Sequence, residues 1–196
     1  GMDLSPNEVE QYSNLMSESQ YMVAADTLNS VNIPTTCRFL DVGGGKGTFV
    51  GELSKTYPKV DAAVFDLPGS HPENAEHTCI IGSFKEDELP KGYDVISLVR
   101  ILYDHRDKTI ESLLAKVHRA LGSGGRLIVS EPMLGPDRPS IWGDVYFAIY
   151  TLAMRTGKTR SPNQVSDLIK AAGFVDIKIH KSRRPFITTV IEARKS

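Results

Sequence analysis

Long apolar runs are missing from this chain of 196 residues: none approaches the roughly 18 consecutive apolar residues of a bilayer-spanning helix, so no membrane span is expected. Charge of one sign is missing too. The 23 Lys and Arg against 24 Asp and Glu leave a formal net charge of −1, so no global field draws the chain to nucleic acid or to an acidic membrane. Cysteine is scarce, and Cys37 and Cys79, in or beside predicted strands, suit reduced thiols in a cytoplasmic protein better than a disulfide framework. The five histidines, at 71, 77, 105, 118 and 180, show no close helical pairing, and neither cysteine has a ligand-type neighbour in sequence; no metal site is expected. Repeats, linkers and low-complexity tracts are absent as well. The length fits one domain with a sizeable core.

What is present concentrates in "RFLDVGGGKGTF", Arg38 to Phe49. A β-prone stretch containing Asp41 runs into Gly43, Gly44 and Gly45, then Gly47, then a helix-like stretch from Thr48 to Tyr57. A strand, tight turn and helix start of this kind lets backbone without Cβ atoms approach a ligand closely. A dinucleotide fingerprint, Gly-x-Gly-x-x-Gly, fails because its last place holds Thr48; a phosphate loop fails because Gly45-Lys46 is followed by Gly47. What remains is Gly43-x-Gly45-x-Gly47, a loop with no pyrophosphate to cradle. The next apolar run, Val60 to Phe65, ends in Asp66, 19 residues beyond Gly47. An acid there can accept both ribose hydroxyls of a nucleoside.

Ser5-Pro6 opens a first helix whose Val9, Tyr12, Met16 and Val23 recur at helical spacing. Strands are predicted at Thr78–Ile81 and Tyr93–Val99, followed by a helix capped by Asp107 with the apolar stripe Ile110, Leu113, Leu114, Val117 and Leu121. Gly122 to Gly125 reads as its end, and Arg126–Ser130 as the fifth strand. Another helix, dense in aromatics, covers 141–155. Ser161-Pro162 opens the next, with Val165, Leu168, Ile169 and Ala172 inward and Gly173 as its stop. Phe174–Ile179 and Phe186–Glu192 read as a closing hairpin. Alternating strands and helices imply an α/β, doubly wound, mostly parallel seven-stranded sheet, made antiparallel at its end by that hairpin. In such a sheet ligands lie beyond the carboxyl ends of the strands.

The segments "FLDVGGGKGTF", "VFDLPG", "LVRILYDHRD", "GGRLIVSEPM" and "TGKTRSPNQVSDLIKAAGF" resemble the catalytic domain of S-adenosylmethionine (SAM)-dependent O-methyltransferases of the plant caffeate and bacterial polyketide type. "YSNLMSESQ" and "SEPMLG" are most similar to the bacterial carotenoid hydroxyneurosporene O-methyltransferases. The resemblance covers nearly the whole chain and implies a Rossmann-like class I methyltransferase fold over residues 31–196, with residues 1–30 as a helical segment packed on it. It implies SAM as cofactor, with S-adenosylhomocysteine as product, and a small hydroxylated substrate, carotenoid-like or aromatic; the rival is a non-catalytic SAM-binding module. No nucleic-acid partner is expected, since no Asn/Asp-Pro-Pro-Tyr follows the fourth strand. The family's N-terminal dimerisation domain is absent, so the chain reads as a fragment or a stand-alone version, with a homodimer left open.

By that resemblance the cofactor contacts are Asp41, Gly43, Gly44, Gly45, Asp66, Leu67, Ser83, Phe84 and Arg100. Ser83 stands where the family usually has Asp, so its hydrogen bond to an adenine lacks charge assistance. Arg100 is placed to pair with the SAM carboxylate or with Asp104. Tyr12, Met16, Phe147, Tyr150 and Met154 line the substrate side, or else are helix core. The family's catalytic His falls on Tyr103, its Asp on Asp104 and its Trp on His105; Glu131, 28 residues after Tyr103, matches the acid after the fifth strand, and Thr159 replaces a second acid. Tyr103 is a poor base, with an ordinary pKa of about 10, whereas His105 at about 6.5 has the right one. The expected base is therefore His105, oriented by Asp104 or Glu131.

Overall fold

A computed structural model of the chain describes residues 19–72, 74–135 and 157–196. Seven strands form one sheet in the order β3-β2-β1-β4-β5-β7-β6. Strands β1 (Arg38–Val42), β2 (Asp61–Asp66), β3 (Thr78–Ile81), β4 (Tyr93–Val99) and β5 (Leu121–Glu131) run parallel; β7 (Thr189–Lys195) is antiparallel to both β5 and β6 (Phe174–His180). The order turns back between β1 and β4, so the carboxyl ends of these two strands open the crevice where doubly wound sheets bind ligands.

Strand alternation splits the core into two layers. Leu40 and Val42 of β1 face helices α3 (Asp107–Ala120) and α4 (Pro162–Ala171), where Ile110, Leu113, Val117, Val165 and Ile169 complete the cluster. Phe39 faces the other way, onto Phe49 and Leu53 of α2 (Thr48–Thr56) and onto Val23 and Ala24 of α1, which is described over 19–30. Ser161 accepts the Gln164 backbone N–H while the Gln164 side chain accepts that of Ser161, with Pro162 at the first turn: the expected start of α4 is a reciprocal cap. A chain of buried hydroxyls ties α1 to the sheet, from Thr27 to Ser130 at 2.5 Å and on to Thr188 at 2.7 Å. Asp26, almost fully buried, takes a two-pronged ion pair from Arg184 at 2.8 and 2.9 Å.

Three local expectations are corrected. Gly122 to Gly125 does not end the fourth connection in a turn: β5 begins at once, at Leu121, and the glycines absorb the register shift opposite Tyr93 and Val95. The last strand starts at Thr189 rather than Phe186, because Ile187 and Thr188 donate to the Arg184 carbonyl and close a turn there. Arg106, not Asp107, occupies the cap position of α3; the Asp107 carboxylate is taken by Lys158 and Arg160 instead. The predicted helix over 141–155, most of the predicted first helix, and the substrate-side positions Tyr12, Met16, Phe147, Tyr150 and Met154 lie outside the described residues.

Candidate active site

The glycine loop sits where β1 delivers it, over the first turn of α2. Gly43, at φ +74°, has its N–H on the Phe65 carbonyl and no room for a Cβ, which would run into Ile101. A Cβ on Gly44 would meet the Asp41 carboxylate and Val64. Gly45 has nothing within 4 Å of its missing Cβ, so the loop is seated on the protein on both sides and open at its centre. Asp66, at the end of β2, turns its carboxylate onto that loop: Oδ2 accepts the Gly45 N–H at 2.7 Å and Oδ1 the Leu67 N–H at 2.6 Å.

Asp41 lies beneath the loop, wholly buried. Its Oδ1 accepts the Ser97 hydroxyl at 2.6 Å, across the β1–β4 pairing of the same two residues, and its Oδ2 has no partner. Burial pushes its pKa up to about 7, partly countered by the Ser97 hydrogen bond, with nearby Asp66 adding to the rise. Asp41 thus supports the cradle from below.

Beyond β3, Ser83 is pinned through its N–H to the Asp87 carboxylate at 2.8 Å. Lys116, buried on α3, donates to the carbonyls of Phe84, Lys85 and Asp87 at 2.8–3.2 Å and fixes the turn that carries Phe84. Phe84 in turn packs edge-on against the His105 ring, centroids 5.2 Å apart. At the end of β4, Arg100 holds a left-handed backbone, φ 59°, costly for a side chain with a Cβ and common where function fixes geometry. Its guanidinium donates to Ser19 at 2.8 Å and also lowers the pKa of Asp104.

Next comes a single 3-10 turn, Leu102–Asp104, that presents the expected catalytic residues. Tyr103 is buried. Asp104 is pushed up to about 6, chiefly by burial, with its Oδ1 unpartnered. His105 is half-buried, and burial first, then Lys85 and Arg160, holds its imidazole below the ordinary histidine value. Glu131 is wholly buried and pushed up to about 8 by burial; its Oε2 accepts the N–H groups of Leu102 and Tyr103 at 2.8 and 3.3 Å. The expectation that Asp104 or Glu131 orients the His105 ring is corrected: among the described residues no hydrogen bond joins it to either. Glu131 shapes the turn through its backbone.

The residue that holds the His105 segment was not expected. Arg160, buried before the cap of α4, donates to the carbonyls of Leu102 at 3.0 Å, Lys158 at 2.9 Å and His105 at 2.9 Å, and pairs with Asp107 at 2.6 Å. The Asp107 carboxyl is held low mainly by its hydrogen bonds to Lys158 and Arg160. Thr159, at the second acid position, has its hydroxyl buried without a partner. Lys116 interrupting an apolar helix stripe and Ser97 inside an apolar strand were the available signals; an arginine directly before a Ser-Pro cap is a weaker one. The fold also gathers His71, His77 and Cys79, whose ligand atoms lie within 4.8 Å of one another, although their spacing in sequence held no hint of it.

As Asp104 does to a lesser degree, Asp41 and Glu131 contribute a falling limb to the pH dependence of stability. Their folded values, about 7 and about 8, lie above the roughly 4 of unfolded carboxyls, so the folded state holds protons that the unfolded chain releases. Stability contributed this way is complete below pH ~4 and lost as pH rises through the folded values. Between pH ~5 and ~8.5 urea melts should show stability falling by a few kcal/mol, and Glu131→Gln, which keeps an acceptor for Leu102, should flatten part of that fall. A stability that rises across this window in the unaltered protein would contradict the assignment.

The sequence profile described as the O-methyltransferase domain matches residues 2–175. The chain is similar to demethylspheroidene O-methyltransferase of Rhodobacter capsulatus, 47% identical over 190 residues covering 95% of this chain and 48% of that protein. It is similar to the same-named protein of Cereibacter sphaeroides at 41% identity, covering 96% of this chain and 52% of that one. It therefore spans about half the length of these relatives. Human N-acetylserotonin methyltransferase, solved in complex with SAM, superposes with a TM-score of 0.86 at 27% identity, over 98% of this chain and 57% of that one. With the sheet order, glycine loop and strand-end acids on one crevice, these matches settle the kinship: the chain belongs to the O-methyltransferase domain family.

Proposed function

We propose that residues 31–196, with the described part of α1 (19–30) packed on them, form the catalytic unit of a SAM-dependent O-methyltransferase acting on a hydroxyl of a small, apolar molecule. The residues present fit the cofactor. The cradle is closed to side chains at Gly43 and Gly44 and open at Gly45, and a buried carboxylate oxygen of Asp41 is left without a partner beneath it. When bound, SAM would supply a sulfonium methyl open to in-line attack by an oxygen nucleophile, with S-adenosylhomocysteine as the leaving group. Asp66 would hold the ribose, Phe84 and Ser83 would flank the adenine, and Arg100 would meet the carboxylate. His105, neutral near pH ~7, would accept the substrate hydroxyl proton on its imidazole nitrogen. The carotenoid-like acceptor is inferred from the names of the two relatives above and from the apolar positions Phe147, Tyr150 and Met154. The free thiols of Cys37 and Cys79 support a reducing, cytoplasmic setting.

The observation that carries this reading is the Asp66 carboxylate turned onto the open glycine loop. Asp66→Ala should lose about 1.5–3 kcal/mol of SAM affinity, the range for charge-assisted bonds. Calorimetry is the measurement. Unchanged SAM affinity in the variant, or tight NAD binding by the unaltered chain, would sink the cofactor assignment.

A further inference from the structure

Between β2 and β3 the chain makes a parallel crossover, a connection ordinarily built on a helix whose apolar face packs on the sheet. Here residues 67–72 and 74–77 carry no helix. Three side chains converge instead. His71, His77 and Cys79 each offer one ligand atom within 4.8 Å of the other two. Among the described residues, both ring nitrogens of His71 and Nε2 of His77 are buried with no hydrogen-bond partner, an arrangement that forfeits their hydration for no return. The Cys79 thiol reaches the His77 carbonyl at 3.7 Å. His77 also lies flat against the glycine loop, since a Cβ on Gly47 would run into its ring.

We propose that His71, His77 and Cys79 are a binding site for a zinc-type divalent ion that staples the helix-less crossover to the start of β3. Two imidazoles and one thiolate are the borderline-soft donors zinc prefers, and among the described residues no carboxylate joins the cluster. Bond lengths of about 2.0–2.3 Å place tetrahedral ligands roughly 3.3–3.6 Å apart, so the three atoms must draw in from their present spread. All three residues are half-buried, on a loop and a strand start, and side-chain rotation can supply that movement. Three protein ligands leave a fourth position to water. On binding, the Cys79 thiol gives up its proton to solvent and the imidazoles bind neutral, with no change of oxidation state. The staple replaces the core contacts that a crossover helix would have made, and it is independent of whether methyl transfer occurs.

The test is a Co²⁺ titration of the untagged full chain, followed by Zn²⁺ displacement. The expected result is one equivalent of Co²⁺ with tetrahedral visible bands and a thiolate-to-cobalt charge-transfer band, both erased by Zn²⁺. Cys79→Ser should abolish the charge-transfer band, and His71→Gln should weaken binding at least ~10-fold while leaving the far-ultraviolet circular dichroism unchanged. Cys37→Ser should leave the spectrum as it was. No charge-transfer band in the unaltered protein, or a band that survives in Cys79→Ser or at full affinity in His71→Gln, overturns the site. Having two ligand variants keeps the test decisive if one of them folds poorly.

Discussion

Replacing His105 with alanine should lower kcat by about 10²-fold or more while SAM affinity stays nearly constant, the signature of a lost general base. The imidazole sits at the end of the strand-end turn, half-buried against Phe84, and burial with Lys85 and Arg160 holds its pKa below the ordinary value. It is therefore neutral where a base must be neutral. The acid limb of the kcat–pH profile should accordingly lie below pH ~6.5. Glu131 is a poor rival, because a carboxyl raised to about 8 is mostly protonated at neutral pH and its Oε2 already serves two backbone N–H groups. Tyr103→Phe should cost less than His105→Ala, since it keeps the buried ring that fills the turn. Single-turnover methyl transfer compares the two. Full rate in His105→Ala with none in Tyr103→Phe would reverse the assignment.

Arg160→Ala should be the most damaging substitution for stability around the site, at about 2–4 kcal/mol. Its guanidinium is almost fully buried and satisfies the Leu102 and His105 carbonyls that face it. Without it the His105 carbonyl loses this donor, the Leu102 carbonyl keeps only the His105 N–H at 3.1 Å, and Glu131 loses a cation that lowers its pKa. The exposed side of the Asp107 pair contributes little, since Lys158 still reaches that carboxylate. Arg160→Lys should recover only part, because an ammonium cannot span three carbonyls and a carboxylate in one plane. Denaturant melts give the stability, and kcat should fall alongside it because the His105 segment is released. A loss below ~0.5 kcal/mol with unchanged kcat would show that the segment holds itself.

The fold was legible where local chemistry and tertiary demand agree. Strands β3 and β4 fall on their expected bounds because turn residues flank short apolar runs. The start of α4 was readable because Ser161, Pro162 and Gln164 make a local cap that needs no distant partner. Expectation failed where a distant partner decides. Glycines 122–125 look like a stop, but pairing with Tyr93 on β4 keeps them in the strand. Asp107 looks like a cap, but Lys158 and Arg160 claim it. That Asp66 comes to the glycine loop was readable from the spacing of Gly43, Gly45 and Asp66. The supports were not: Ser97, Lys116 and Arg160 reach across 56, 31 or 58 residues to the groups they hold, and no local pattern records that. His71, His77 and Cys79 meet where the crossover returns to the sheet, with the His77 ring against Gly47.

The proposed movement of a methyl group onto oxygen is tested most directly by transfer from methyl-labelled SAM to a hydroxylated carotenoid, with a panel of phenols alongside, and mass spectrometry of the product. The expected result is one labelled methyl per acceptor as an ether, released with S-adenosylhomocysteine and reduced about 10²-fold or more in His105→Ala. SAM bound with Asp66-dependent affinity but no methyl on any hydroxylated acceptor would contradict it, leaving a non-catalytic SAM-binding module.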